Sequence, residues 1–280
     1  MSNTTPGQQA IGVFDSGLGG LTVLHALQQQ LPHESFIYVA DNGHAPYGDK
    51  PPAFIIERSL AIAQYLRTQQ AKALVIACNT ATAAAAHVLR QTWPDWPIIG
   101  IEPAVKPAAM ITKTGVVGIL ATTNTLASDK FRQLISRFSD NAKIVVQACP
   151  GLVEEIERGD LDSPRLQQLL AEYVGALRQA GADVIVLGCT HYPFVQAQIQ
   201  ALAGAGVAVI ETGEAVAREL QRQLQHAQLL NARPASTLRF YSSAHALASQ
   251  QVAQRLLQHW SAPALLAAIQ RPETVQHLLK

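Results

Sequence analysis

The sequence predicts an α/β protein made of two similar halves, each built on a parallel sheet. Short apolar runs alternate with longer amphipathic stretches along most of the 280 residues, the pattern of repeated strand–helix–strand units. A weak internal repeat relates the first part of this alternation to the second. Hydrophobic residues make up 48% of the chain and charged residues 15%, which is enough apolar surface for a substantial core.

Eight short apolar runs that alternate with amphipathic stretches are predicted to be buried strands. They are residues 11–14, 36–40, 73–77, 97–100, 115–120, 143–147, 183–188 and 207–210. Helical spacing of Leu21, Leu24, Leu27 and Leu31, and the alanine-rich stretch after Thr80, predict helices between them. A ninth strand is predicted at 237–241, before a helix from about 245 to 259. The tail, 261–280, is predicted to be an appendage with a short helix.

The internal repeat places one cysteine at the same point of each half. Residues 73–80 resemble residues 183–190, so that Cys78 and Cys189 stand 111 positions apart, and residues 12–16 resemble 118–122 at an offset of 106. In open parallel sheets, ligands bind beyond the carboxyl ends of the strands, and both cysteines follow a strand there. Further polar residues follow strands in the same way: Asp15, Ser16, Thr122 and Thr125.

Composition excludes several classes of function. The net charge is +1 with no basic run, which argues against a nucleic-acid or anionic-membrane partner. No apolar stretch is long enough for a membrane span, and the first nine residues are polar, so we expect a soluble cytosolic protein. Three cysteines without paired Cys or His spacing argue against disulfides and against a metal site. Each cysteine is then either a buried apolar residue or a reactive thiol.

Two equivalent thiols facing one cleft are suited to inverting a carbon centre. An amino acid is racemised when its α-proton is removed from one face and returned to the other, which needs an acid/base group on each side. A free thiol has a pKa of about 8.5, and nearby charges and dipoles move it toward the working range. Both cysteines precede a predicted helix, whose N-terminus lowers a thiol pKa and binds carboxylates.

The remaining loops suit a small anionic ligand and give no cofactor motif. The turn 15–20, Asp-Ser-Gly-Leu-Gly-Gly, is neither a dinucleotide fingerprint nor a phosphate-binding loop, and on its own it is equally well a tight turn. Pro46-Tyr47-Gly48 on its own is an ordinary turn. Neither a nicotinamide or flavin motif nor a Schiff-base lysine with a phosphate cradle can be identified, so no cofactor is expected.

Taken together, four motifs resemble the bacterial glutamate racemases, of the aspartate/glutamate racemase family. The motifs are residues 14–20 (FDSGLGG), 46–48 (PYG), 78–81 (CNTA) and 188–193 (GCTHYP), and they stand in the family's order. The resemblance runs from about residue 11 to about residue 259. It implies a cofactor-independent enzyme that interconverts L- and D-glutamate, supplies D-glutamate for peptidoglycan, and is usually a homodimer.

The resemblance also implies two pseudo-symmetric α/β domains with the active site in the cleft between them. We expect one domain at 11–102 plus 212–260, carrying Cys78, and the other at 103–211, carrying Cys189. Cys78 resembles the base for D-glutamate and Cys189 the base for L-glutamate. Asp15 resembles the residue that assists the first thiol, and Glu157 and His191 those that assist the second. The substrate-binding set implied in the same way is Asp15, Ser16, Pro46, Tyr47, Gly48, Asn79, Thr80, Thr122, Thr190 and His191.

Other interpretations of the same residues stay open. The substrate is alternatively aspartate or a hydantoin, although His191 after Cys189-Thr190 favours glutamate. A non-catalytic amino-acid-binding regulator is a second alternative, and a cysteine hydrolase, which leaves the second thiol unexplained, is a third. Cys149, beside Pro150, is predicted to be structural. Only the resemblance distinguishes Glu157 from the acidic residues around it.

Overall fold

The structure is a computed structural model that describes residues 6–231, 236–269 and 272–274. Its first half alternates strands and helices from the N-terminal side. The elements are β1 (Ile11–Asp15), α1 (Leu21–Gln30), β2 (Phe36–Ala40), α2 (Pro52–Thr68), β3 (Ala73–Ile76), α3 (Asn79–Thr92) and β4 (Ile98–Gly100). β1, β2 and β3 are buried along their whole length, as expected for parallel strands covered by helices on both faces.

The second half repeats this alternation, and the chain then returns to the first. The second half contains α4 (Val105–Ile111), β5 (Val116–Ala121), α5 (Thr123–Ala127), α6 (Asp129–Ser136), β6 (Lys143–Ala148), α7 (Leu152–Glu157), α8 (Pro164–Gln179), β7 (Val184–Leu187), α9 (Gln196–Ala203) and β8 (Ala208–Ile210). The returning segment contains α10 (Gly213–His226), β9 (Leu238–Ser242), α11 (Ala246–His259), α12 (Pro263–Ala268) and β10 (Pro272–Thr274). α10 packs against α1.

Two parallel sheets with the same strand order confirm the predicted fold class. The first sheet has the order β10-β9-β2-β1-β3-β4 and the second β6-β5-β7-β8. The core order β2-β1-β3-β4 therefore matches β6-β5-β7-β8, with β1 equivalent to β5 and β3 to β7. This repeated topology explains the sequence offsets of 106 and 111, because each half is one copy of the same strand–helix pattern.

The sheet edges differ from the sequence prediction in two respects. Residues 143–147 and 207–210 were predicted to be buried strands, but β6 and β8 are edge strands and are partly exposed, with Val146 45% exposed. The tail was predicted to be an appendage with a short helix. The helix is present as α12, but β10 also pairs with β9 and adds a sixth strand to the first sheet. Residues 270–271 and 275–280 of the tail lie outside the described residues.

The sheets place the polar strand ends together. β9, which pairs with β2, follows the second half in sequence but belongs to the first sheet, in keeping with the predicted domain ranges, which remain a prediction. The polar residues at the carboxyl ends of β1, β3, β5 and β7 converge where the two halves meet.

Across the described residues, no helix is both long and apolar enough to cross a membrane.

Candidate active site

Cys78 lies at the carboxyl end of β3 and begins α3. It is the N-cap residue, and its sulfur accepts a hydrogen bond from the Ala81 amide at 3.4 Å. Its thiol donates to Ser16 Oγ at 3.8 Å. The predicted pKa-lowering effect of the helix N-terminus is outweighed, because burial first, and then the nearby Asp15 carboxylate, raise the Cys78 pKa well above its usual value. Cys78 is therefore held as a protonated thiol.

Cys189 follows β7, at the position equivalent to Cys78, but it does not cap an α-helix. The prediction that a helix directly follows Cys189 is wrong: Thr190 and His191 form a turn, a 3-10 segment covers Tyr192–Val195, and α9 begins only at Gln196. At the start of α3 the Thr82 amide donates to the Cys78 carbonyl, whereas the equivalent position after Cys189 is Pro193, which has no amide hydrogen to donate. Cys189 is 7% exposed, and its sulfur lies 3.7 Å from His191 Nδ1.

His191 and Glu157 form a charged pair beside Cys189. His191 Nε2 lies 2.6 Å from Glu157 Oε1, and the imidazole is 2% exposed. Burial opposes a charged imidazole, but the contacts with Cys189 and Glu157 outweigh it and raise the His191 pKa well above its ordinary value. A protonated His191 donates Nε2–H to Glu157 and directs Nδ1–H at the Cys189 sulfur.

The glycine-rich turn of the first half lies directly against this pair. The Leu18 amide donates to Glu157 Oε1 at 2.6 Å, and the Gly19 amide nitrogen lies 3.1 Å from His191 Nε2. A Cβ built on Gly17 would overlap the Glu157 carboxylate, and one on Gly19 would overlap the His191 ring. Glycine is therefore required at these two positions because the turn closely approaches the opposite half. The interpretation of the motif as a tight turn did not include this contact.

Asp15 connects the surroundings of the two thiols. Its carboxylate is fully buried at the end of β1, accepts the Ser16 and Gly20 amides, and interacts with Cys78. Thr190 Oγ1, next to Cys189 in the chain, donates to Asp15 Oδ2 at 3.2 Å. Burial raises the Asp15 pKa, against the lowering effects of His191 and the Gly20 amide. A carboxyl group with a raised pKa is better matched to exchanging protons with a thiol.

Three threonine hydroxyls join the halves on the Cys78 side. Thr80 Oγ1, in α3, lies 3.0 Å from Thr122 Oγ1 and 3.3 Å from Thr125 Oγ1, and these two lie 2.9 Å apart. Thr122 caps α5 through the Thr125 amide. Hydroxyl groups can each donate and accept, so this buried cluster can turn its hydrogens toward a carboxylate.

The loop around Tyr47 is held from both halves. Tyr47 Oη donates to Asp41 Oδ2 at 2.5 Å, and Arg58 binds the same carboxylate through Nε and Nη2 at 3.0 and 2.9 Å. From the second half, Asn124 Nδ2 donates to the carbonyls of Tyr47 and Lys50 at 3.0 and 2.8 Å. Two further site candidates belong to this loop: Pro46, after a cis peptide bond, and Gly48, which faces Thr122.

Asn79 is buried with both side-chain amide atoms unpartnered. It is 5% exposed, and neither Oδ1 nor Nδ2 has a hydrogen-bond partner among the described residues. An unpaired buried amide costs roughly 1–3 kcal/mol, which a ligand with both donor and acceptor groups can offset. Asn79 is therefore the strongest single indication of a ligand at this site.

The predicted catalytic and substrate-binding residues thus lie together around the junction of the two halves. Their roles remain proposals. Sequence reasoning missed Asn124, Asp41 and Thr22. Thr22 Oγ1 lies 2.9 Å from the Gly19 carbonyl and 3.0 Å from the Thr190 carbonyl, joining α1 to the Cys189 turn. Asn124 stands two positions after the predicted site residue Thr122, and Thr22 stands two positions after the glycine-rich turn 15–20; that closeness was the signal available in the sequence.

Comparison with known proteins agrees with this geometry. The family model for Asp/Glu/hydantoin racemases matches residues 11–220. A glutamate racemase of Pseudomonas syringae pv. tomato is 56% identical over 239 residues, covering 85% of this chain and 87% of the relative. A glutamate racemase of Pseudomonas aeruginosa is 52% identical over 235 residues, covering 84% of this chain and 89% of the relative.

Solved structures show the same architecture. Francisella tularensis glutamate racemase in complex with D-glutamate superposes with a TM-score of 0.81 at 29% identity, covering 96% of this chain and 98% of that one. Escherichia coli glutamate racemase, in complex with L-glutamate and the activator UDP-MurNAc-ala, gives 0.80 at 30% identity, covering 95% and 98%. On its sequence, its fold and its paired thiols, the chain belongs to the Asp/Glu/hydantoin racemase family.

Proposed function

We propose that the protein racemises glutamate without a cofactor, using Cys189 and Cys78 as a pair of acid/base groups. The observation that carries the proposal is the placement of two buried thiols at equivalent strand ends of two like halves, linked through Asp15 and Thr190. The similarity to glutamate racemases at more than 50% identity supports glutamate as the substrate. Relatives crystallised with D-glutamate and with L-glutamate support it further.

The surroundings of the two thiols favour opposite protonation states at the start of the L-to-D reaction. Protonated His191 stabilises a thiolate on Cys189, whereas burial keeps Cys78 protonated. In the L-to-D direction the Cys189 thiolate takes the α-proton, and the electron pair of that C–H bond remains on the α-carbon as a carbanion. The Cys78 thiol then gives its proton to the opposite face, which leaves a Cys78 thiolate. The reverse direction exchanges these roles.

The polar groups around the thiols suit the two carboxylates and the ammonium group of glutamate. Asn79 offers an unpaired amide, and the hydroxyl cluster of Thr80 and Thr122 lies next to it in the site. The proposed set further comprises Ser16, Tyr47, Gly48, Thr190 and the carboxylate of Asp15, the last being suited to the substrate ammonium. These assignments rest on the family resemblance and on the proximity of the groups.

The direct test is incubation of the pure protein with L-glutamate and no added cofactor. We expect the optical rotation to decay to zero, and the same with D-glutamate, whereas L-aspartate keeps its rotation. If the optical rotation of L-aspartate decays faster than that of L-glutamate, aspartate and not glutamate is the substrate. Stable rotation with every substrate, with folding verified by circular dichroism, would exclude racemisation and favour an amino-acid-binding regulator.

We further propose that the enzyme works in the cytoplasm, supplies D-glutamate for peptidoglycan, and forms a homodimer. Three unpaired cysteines agree with a reducing compartment. The neighbouring Met110 and Ile111 at the end of α4 are 75% and 49% exposed, an apolar surface that a second subunit could cover. Sedimentation equilibrium tests the dimer: a single species at the mass of one chain at micromolar concentration would contradict it.

A further inference from the structure

Glu211 is a partly buried carboxylate that the proposed mechanism does not use. It follows β8, and its side chain accepts the Gly213 amide at the start of α10. Burial raises its pKa despite that hydrogen bond. Carboxyl groups with raised pKa values in clefts are candidates for proton transfer, provided that the geometry gives them something to act on.

A small cavity connects Glu211 to the second thiol. The cavity measures about 10 Å³, and its wall includes Cys189, Thr190, Thr212, Glu211 and Asn79. This is roughly the room that one water molecule needs, and polar groups on several sides can bind it. Asn79, with both amide atoms unpartnered, is one of these groups. Cys78 and Asp15 are not among the residues that line this cavity.

A larger pocket connects Glu211 to solvent. This pocket measures about 440 Å³ and is lined by residues of α1 and of the segment around Pro193, together with Glu214 and Trp260. It shares three lining residues with the small cavity, namely Thr22, Pro193 and Glu211. Among these three only Glu211 titrates, so it is the proton-carrying group at the junction. His25, the other titratable side chain facing the pocket besides Glu214, has its pKa lowered by burial and is neutral.

A two-base racemase needs such a connection because each turnover leaves it in the wrong protonation state. After L-to-D conversion, Cys189 holds the proton and Cys78 is the thiolate. Before the next L-glutamate can react, Cys189 must lose that proton and Cys78 must gain one. We infer that Glu211 and the cavity beside Cys189 form a proton route between this thiol and solvent, which resets the enzyme between turnovers.

The inferred step rests on the proposed function and balances without a further reactant. The S–H bond of Cys189 breaks and an O–H bond forms on the Glu211 carboxylate, through one intervening water, while the sulfur keeps the electron pair. Glu211 then releases the proton to water in the large pocket. Cys78 takes a proton from solvent separately. After D-to-L conversion the same route runs in reverse, so both directions depend on it.

The test uses Glu211→Gln, which keeps the acceptor for the Gly213 amide but cannot carry a proton as a carboxyl group does. We expect kcat to fall about tenfold in both directions while kcat/KM stays unchanged, because kcat/KM does not include the return of free enzyme. The solvent deuterium isotope effect on kcat should rise, and inhibition by product should become noncompetitive. Glu211→Asp should retain most of the activity. Glu214→Gln, which removes a carboxylate from the outer pocket only, is the matched control and should match the wild type.

Three results would overturn the inference. An unchanged kcat in Glu211→Gln would show that the route is not used. A parallel fall of kcat and kcat/KM would assign Glu211 to positioning Cys189 or substrate. An equal effect of Glu214→Gln would assign the change to the general charge of the pocket. Failure of the proposed function is distinguished by the wild type, which would then show no racemisation at all.

Discussion

The two thiols have different neighbours, and this difference determines how each can act. Cys78 is surrounded by Ser16, the Ala81 amide and Asp15, and its pKa is raised by burial. Cys189 faces a protonated histidine whose charge is balanced by Glu157. Cys78 is therefore arranged to stay protonated, whereas the Cys189 sulfur has a cationic group beside it, although the strands that carry the two residues are equivalent.

Replacing Glu157 by Gln should impair the L-glutamate face selectively. Without the carboxylate, the His191 pKa falls and the imidazolium that stabilises the Cys189 thiolate is lost. We expect kcat/KM for L-glutamate to fall about 10²-fold, and exchange of the α-proton of D-glutamate to fall less. Glu154→Gln in the same helix, whose carboxylate binds neither His191 nor the glycine-rich turn, is the control. Equal losses for both substrates in the exchange assay would contradict the assignment.

Asp41 should stabilise the fold in a pH-dependent way. Burial disfavours its charge, but Arg58 and other hydrogen-bond donors outweigh this and lower the Asp41 pKa. A lowered folded-state pKa contributes stability above about pH 4, which is lost as the pH falls through the folded value. Asp41→Asn should lower the free energy of unfolding by about 2 kcal/mol at pH 7, measured in urea, because the hydrogen bonds from Arg58 lose their charged acceptor. The difference should shrink below about pH 4; a constant difference would contradict the ion-pair explanation.

At the level of elements, the sequence predicted which segments form strands and helices better than it predicted how the strands pair and where the helices begin. Strand–helix alternation and the repeat around Cys78 and Cys189 were sufficient for two parallel sheets, because buried strands are marked by local composition. The edge exposure of β6 and the pairing of β10 with β9 depend on neighbours distant in sequence. A helix was predicted directly after Cys189 because the sequence there resembles the sequence at Cys78. The α-helix begins only at Gln196, because Pro193 cannot supply the amide that a helix beginning at Cys189 would need.

The glycine-rich turn should tolerate no side chain at Gly17, for reasons of space. Gly17→Ala pushes a methyl group against Glu157, and we expect kcat/KM to fall about 10²-fold through misplacement of the His191–Glu157 pair. Gly175→Ala, in the middle of α8 with nothing within 4 Å of the new Cβ, is the contrast. It should raise the free energy of unfolding by about 0.5–1 kcal/mol and leave activity unchanged. Full activity in Gly17→Ala would refute the close-approach argument.

At the scale of the whole molecule, the site exists only where the halves meet. The Leu18–Glu157, Thr190–Asp15 and Thr80–Thr122 hydrogen bonds all cross this junction. The sequence predicted the residue types but not these pairings, since partners as far apart as Thr190 and Asp15 meet only through the topology. The site is therefore complete only when the two halves are packed together.

Asn124 should contribute to substrate affinity by holding the Tyr47 loop against the second half. Asn124→Ala removes its hydrogen bonds to the Tyr47 and Lys50 carbonyls. One lost hydrogen bond of about 1 kcal/mol corresponds to about fivefold, so KM should rise about 5- to 10-fold for both enantiomers, with a smaller change in kcat. Steady-state kinetics checks this, with Asn141→Ala on an exposed turn as control. An unchanged KM would show that the loop is held by the first half alone.

The measurement that tests the central claim most directly is α-proton exchange in deuterated water by the single-thiol variants. Cys78→Ala keeps the base for L-glutamate, so it should introduce deuterium into L-glutamate without forming D-glutamate. Cys189→Ala should do the reverse, exchanging D-glutamate while leaving L-glutamate unlabelled. NMR of the α-proton with chiral analysis reports both quantities. Equal labelling of both enantiomers by both variants would contradict a mechanism in which each thiol serves one face.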